Sequence, residues 1–137
     1  MRAVLDPNVL IFALLSRDGS PARVLRAWLD GAFELVVSSA LLAELERALA
    51  YPKIRARVEP TEAAQLLELL VRGGQMRADS ERPTGIRSPD PGDDYLIALA
   101  ESARAVIVSG DRHLLGLADR CPVRSPAEFL AELERPA

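Results

Sequence analysis

Two apolar runs that each end in a carboxylate constrain this chain more than any other feature. The first, Ala3-Val4-Leu5-Asp6, starts almost at the N-terminus; the second, Ala105-Val106-Ile107-Val108-Ser109-Gly110-Asp111, lies in the last third of the chain. Short runs of this kind, rich in β-branched residues, read as strands buried on both faces of a parallel sheet. In open parallel sheets ligands gather at the carboxyl ends of the strands, where Asp6 and Asp111 would stand. Asp6 reads equally as the N-cap of a following helix, with Pro7 as its first residue. The second acid-ended strand is what favours a site, because two such strands can point two acids at one spot.

Between these runs the pattern alternates. A short helix is expected over residues 9–15, then a loop at Ser16-Arg17-Asp18-Gly19, then a helix opened by Ser20 as cap and Pro21 in its first turn and ended by Gly31. Residues 33–37 read as a strand. Ser38-Ser39 opens a third helix with Leu41, Leu42, Leu45, Ala48 and Leu49 on its buried stripe. A break at Tyr51-Pro52-Lys53 and a short basic piece follow. A helix over residues 61–72 then places Ala63, Leu66, Leu67, Leu70 and Val71 in helical register before Gly73-Gly74 stops it. A short strand is expected over residues 75–78. Residues 79–93 are polar and rich in Pro and Gly, a loop long enough that function or mobility is its usual explanation. After Asp93-Asp94, the segment Leu96-Ile97-Ala98-Leu99-Ala100 is a helix apolar nearly all round, hence buried. A short helix after Asp111, an edge strand over 122–124 and a capping box at Ser125-Pro126-Ala127-Glu128 complete the chain. Strands alternating with helices throughout predict a three-layer α/β/α sandwich around a mainly parallel sheet, as a single domain over residues 1–137.

Composition adds bounds rather than identity. The core must be aliphatic, since 49% of the 137 residues are hydrophobic and only 4% aromatic. No run of about 18 apolar residues offers a membrane span and the N-terminus has no signal-peptide pattern, so a cytoplasmic location is expected. The single cysteine, Cys121, reads as a small buried hydrophobe, and the single histidine, His113, as a surface residue. A net charge of −3 argues against a nucleic-acid partner, but two bound divalent cations would turn it into about +1.

Asp6, Asp93 or Asp94, and Asp111 form an oxygen-rich set with no histidine or cysteine beside them that reads as a ligand. Hard oxygen donors suit Mg²⁺ or Mn²⁺ rather than zinc. Carboxylates around such ions describe the two-metal solution to phosphodiester hydrolysis. Glu44 and Glu46 flank the third helix's stripe about 100° to either side of Leu45, and periodicity does not choose between them.

Four blocks, in order, carry a resemblance. Leu5-Asp6-Pro7-Asn8-Val9-Leu10, the segment from Ser39 through Glu44-Leu45 to Leu49, Asp90-Pro91-Gly92-Asp93-Asp94-Tyr95-Leu96-Ile97-Ala98-Leu99-Ala100 and Val108-Ser109-Gly110-Asp111-Arg112-His113-Leu114-Leu115 resemble the successive blocks of the PIN-domain family. They are most similar to its VapC-like toxin members. The resemblance implies a Mg²⁺- or Mn²⁺-dependent ribonuclease, with RNA as substrate, an antitoxin as partner, and homodimers. Carried over by position, it implies Asp6, Glu44, Asp94 and Asp111 as catalytic and metal-binding residues, with Asn8 and Ser109 supporting them. Asp93 is held in reserve for a direct or supporting role. One position departs from the family: Pro7 stands where Thr or Ser is usual, and takes away a hydroxyl and a backbone donor close to the first acid.

Two other readings compete. A PIN-like module with weakened catalysis would bind RNA or protein, and Arg17, Arg55, Arg57, Arg82 and Arg87 are the candidate phosphate ligands. A phosphatase of the haloacid-dehalogenase type also starts from a strand ending in Asp, but needs an acid where Asn8 stands and a lysine that only Lys53 offers.

Overall fold

The computed structural model describes residues 1–80 and 85–135, so Arg82 lies outside the described residues. Five short strands form one sheet: β1 (Arg2–Leu5), β2 (Glu34–Val37), β3 (Gln75–Met76), β4 (Val106–Val108) and β5 (Val123–Arg124). Their order across the sheet is β3-β2-β1-β4-β5, and every neighbouring pair is parallel. The connections are helical: α1 (Pro7–Leu15) and α2 (Ser20–Leu29) follow β1, and α3 (Ser39–Leu49), α4 (Pro52–Arg55) and α5 (Pro60–Gly73) follow β2. A 3₁₀ turn at Pro91–Asp93 leads into α6 (Asp94–Ala103), while α7 (Arg112–Leu115) follows β4 and α8 (Pro126–Glu134) follows β5. From β1 the chain steps one way across the sheet through β2 to β3, then returns past β1 to β4 and continues the other way to β5. Right-handed crossovers therefore put the early helices on one face and α6 on the other, giving the expected α/β/α layering.

The reversal of direction falls between β1 and β4, which pair with Leu5 opposite Val108. The chain leaves the sheet in both directions there, so the carboxyl ends of these two strands frame a crevice. The Asp6 N–H still donates to the Val108 carbonyl at 3.0 Å, which holds the first residue beyond β1 against β4. Beneath the crevice Leu5, Leu35, Ile107 and Val108 are buried, and with the apolar helix faces they form one contiguous core.

Several local expectations shift. Gly19, not Ser20, occupies the cap position of α2, and no side chain caps it, because Ser20 is already helical. The helix ends as expected at Gly31, whose φ of +83° lets the Ala32 N–H return to the Ala27 carbonyl at 2.9 Å. Helix α5 begins at Pro60 behind a Glu59–Glu62 capping box. Val71, expected in register with the buried stripe, is 56% exposed, because the buried seam of α5 is the narrower Leu66–Leu70 line. Cys121 is buried and His113 is exposed. No helix among the described residues is long and apolar enough to cross a membrane.

A long-range cap ties the segment after β3 to the start of α3. The first turn of α3 is satisfied twice, by Ser38 Oγ accepting from the Leu41 N–H at 3.2 Å and by Asp79 Oδ2 accepting from the Ala40 N–H at 2.9 Å. An acid at a helix N-terminus is favoured by both the hydrogen bond and the helix dipole. Asp79→Ala is therefore expected to lower the unfolding free energy by about 1–2 kcal/mol. A urea midpoint equal to that of the parent would refute this tie.

Candidate active site

Asp6 caps the helix that follows it and at the same time faces the other strand end. Its Oδ1 accepts from the Asn8 backbone N–H at 3.0 Å, capping α1, while its Oδ2 accepts from the Ser109 hydroxyl at 2.7 Å. The residue is 4% exposed, and burial is the main reason its carboxyl is pushed above the ordinary aspartate value, in spite of these two donors. Neighbouring Asp111 and Glu44 push it the same way. Asn8 thus supports Asp6 through its main chain, and its side chain is exposed. Pro7 leaves the Asp6 cap intact: the donor comes from the residue after it, and a proline suits the first helical position.

Ser109 is fully buried and links the two strand ends. Its hydroxyl donates to Asp6 and its oxygen accepts from the Asp111 N–H at 3.0 Å. Asp111 in turn caps α7, with Oδ1 accepting from the His113 N–H at 2.9 Å. The expected meeting of Asp6 and Asp111 is thereby built into the backbone of β1 and β4.

The adjacent acids at the head of α6 part company. Asp93 faces Asp111 and Asp6, and its Oδ2 is buried with no hydrogen-bond donor. Burial, then the opposed Asp111 carboxyl, pushes Asp93 up to about 7. Two carboxylates that face each other are both acceptors, so either a proton or a cation must lie between them. Asp94 turns the other way. Its Oδ1 accepts from the Ser88 N–H at 2.8 Å and its Oδ2 pairs with Arg87 at 3.5 Å, which fastens the incoming loop to α6. The geometry does not bring Asp94 to the other acids, because it begins the helix proper while Asp93 ends the 3₁₀ turn beneath it. Burying Leu96, Ile97 and Leu99, at about 1.5–3 kcal/mol each, outweighs the cost of carrying one carboxyl inward with them.

Glu44 is half-buried and acts on Asp6 across the crevice, whereas Glu46 is exposed in a separate groove beside Arg55 and Leu49. Tyr95, read from sequence only as part of a block, also enters the pocket. Its hydroxyl is buried, turned towards Glu44, and makes no well-formed hydrogen bond. Burial and the surrounding carboxylates keep this phenol protonated. An aromatic on an apolar helix gives no sequence sign of this, since it reads as core. Of the described candidate arginines, Arg17, Arg55, Arg57 and Arg87 are all exposed, and Arg87 pairs with Asp94.

The pocket therefore assembles Asp6, Glu44, Asp93 and Asp111, with Ser109 behind them. The chemistry of this donor set, all carboxylate with one buried oxygen lacking a donor, fits a hard divalent ion. Among the described residues, no three His, Cys, Asp or Glu side chains stand close enough to grip an ion as they are. Mutually repelling carboxylates stand further apart than oxygens that share a cation, and gripping one requires the partly exposed Glu44, Asp93 and Asp111 to rotate inward.

A model of the PIN domain matches residues 2–113. The chain belongs to the PIN-domain family. PIN domains are in general nucleases that use divalent metals. The chain is 25% identical, over 98% of its length and 93% of the relative's, to the uncharacterized protein MJ1680 of Methanocaldococcus jannaschii. Its PIN fold is similar to that of PAE2754 from Pyrobaculum aerophilum, at a TM-score of 0.66 and 19% identity over 97% of this chain and 89% of that one. It is also similar to VapBC-1 from nontypeable Haemophilus influenzae, at a TM-score of 0.60 and 18% identity over 93% of this chain and 99% of that one.

Proposed function

We propose that this PIN domain is a ribonuclease that hydrolyses RNA phosphodiester bonds with Mg²⁺ or Mn²⁺ held by Asp6, Glu44, Asp93 and Asp111. The observation that carries the reading is the opposition of Asp93 and Asp111 at the switch point of the sheet, one carboxylate oxygen buried without a donor. A divalent ion supplies a water of lowered pKa and neutralises charge on the phosphate oxygens. The residues do the rest. Asp6 is locked by the Asn8 N–H and the Ser109 hydroxyl, so it presents a fixed oxygen edge. Asp93 and Asp111 sit on separate elements, and Glu44 is carried by α3 and acts on Asp6. Without a cation, four carboxylates repel a phosphodiester, which is why the reading requires metal.

Asp94 has a different part in this reading. It fastens residues 87–88 to the start of α6 and so keeps Asp93 at the pocket. The weakened-catalysis alternative rests on Pro7, and the Asp6 cap made by the Asn8 N–H weighs against it. The phosphatase alternative has an exposed Asn8 where it needs an acid and an exposed Lys53 on α4. The VapBC-1 likeness supports an antitoxin partner and the toxin role, and pairing of two copies belongs to the same reading. The deciding experiment incubates the protein with mixed RNAs and Mg²⁺ or Mn²⁺, with and without chelator. Cleavage is expected only with metal, and cleavage that survives chelation would overturn the proposal.

A further inference from the structure

Each acid in the pocket except one has a visible means of orientation. Asp6 takes two hydrogen bonds and Asp111 one, and Asp93 is aimed by the turn that ends at it. Glu44 is the exception: a long side chain with three rotatable bonds, half-buried on the second turn of α3. Among the described residues, the Tyr95 hydroxyl is the proton donor turned towards it.

We infer that Tyr95 is a positioning residue, whose buried hydroxyl donates to the Glu44 carboxylate and fixes it facing Asp6 across the pocket. Hydrogen-bond supply favours the pair. A buried phenol hydroxyl with no partner loses its bond to water and gains nothing for it, a cost that a small rotation of Glu44 removes. A carboxylate accepts and a phenol hydroxyl donates, so the two groups satisfy each other. The pairing also joins α3 to α6, the elements that carry Glu44 and the Asp93–Asp94 pair. An outer partner that orients a carboxylate ligand commonly changes metal affinity or activity by about 10–100-fold when lost.

The inference rests on the metal-site reading and is tested separately from it. Tyr95→Phe removes only the hydroxyl and leaves an apolar ring on a buried helix. Mn²⁺ affinity is measured by calorimetric titration of the wild type, Tyr95→Phe, Glu44→Gln and the double variant, with thermal midpoints and RNA cleavage kinetics for each. The expected result is an unchanged midpoint for Tyr95→Phe, Mn²⁺ binding weakened by about tenfold, and kcat reduced by a similar factor with KM for RNA unchanged. In the Glu44→Gln background the Tyr95→Phe change should have no further effect on Mn²⁺ affinity, because the two act through one contact. Equal Mn²⁺ affinity in wild type and Tyr95→Phe overturns this inference and leaves the metal site standing. So does a Tyr95→Phe effect that persists undiminished in the Glu44→Gln background, or a Tyr95→Phe chain that fails to fold, which would make the hydroxyl a structural need. A wild type that binds no Mn²⁺ removes the metal-site reading and this inference with it.

Discussion

Asp93→Asn is expected to reduce metal-dependent RNA cleavage by about 10³-fold, whereas Asp94→Asn reduces it by less than about tenfold. The two residues are neighbours and chemically identical, so the contrast tests geometry alone. Asp93 faces Asp111 and Asp6 with a buried oxygen that lacks a donor, and its carboxylate is one wall of the pocket. Amidation keeps its size but removes the charge that holds a cation, a loss of several kcal/mol in the transition state, about 4 kcal/mol for 10³. Asp94 spends both oxygens on Ser88 and Arg87. An amide there retains an acceptor for the Ser88 N–H and loses a long ion pair with an exposed arginine, worth about 0–1 kcal/mol, so the turn that carries Asp93 loosens without coming apart. Initial rates at saturating Mn²⁺ on one RNA, with thermal midpoints to confirm folding, decide the matter. Equal loss in the two variants, or a larger loss in Asp94→Asn, would reverse the assignment of roles at the head of α6.

That pair also marks where the sequence stops being informative. The α/β/α sandwich is legible because strand and helix differ in hydrophobic period, and β1 and β4 declare themselves by apolar runs such as Val106-Ile107-Val108. Their acids meet because the strands are neighbours at the switch point, a fact of topology that two similar endings suggest and do not prove. Asp93 and Asp94 are adjacent, and which one turns inward depends on the residue at which the 3₁₀ turn becomes α-helix, a boundary set by packing of Leu96 and Ile97. Family likeness placed the match on Asp94; one residue of register is below what block resemblance resolves. Glu44 and Glu46 pose the same problem, being symmetric about Leu45 until α3 is docked, when one acts electrostatically on Asp6 and the other lines a separate groove with Arg55. Asp79 shows the limit from another side, since it caps a helix whose first turn lies 39 residues earlier in the chain and no local pattern records that.

The cluster's electrostatics make a second large effect measurable without substrate. In the folded, chelator-treated protein Asp93 holds its proton up to about 7 and Asp6 is also raised, whereas both ionise near 3.8 when the chain unfolds. Between those values the native state binds more protons than the unfolded state, so the unfolding free energy falls as pH rises. From pH 5 to pH 8 the expected loss is about 2 kcal/mol, less than the full shift because Asp93 is partly open to solvent. Glu34, held low by Arg2, and Glu128, held low by the Ser125 backbone, act in the opposite direction, but below about pH 4.5 and at the surface. A divalent cation takes the place of the Asp93 proton, so millimolar Mg²⁺ or Mn²⁺ should raise the thermal midpoint at pH 8 and leave it nearly unchanged at pH 5. Asp93→Asn, which has no charge to desolvate, should be more stable than the parent at pH 8 without metal and show a flatter pH profile. A chelated parent whose midpoint is level or rises between pH 5 and pH 8 would mean that Asp93 and Asp111 do not confront each other across the pocket in solution. The metal-ion reading would then lose the charge arrangement on which it stands.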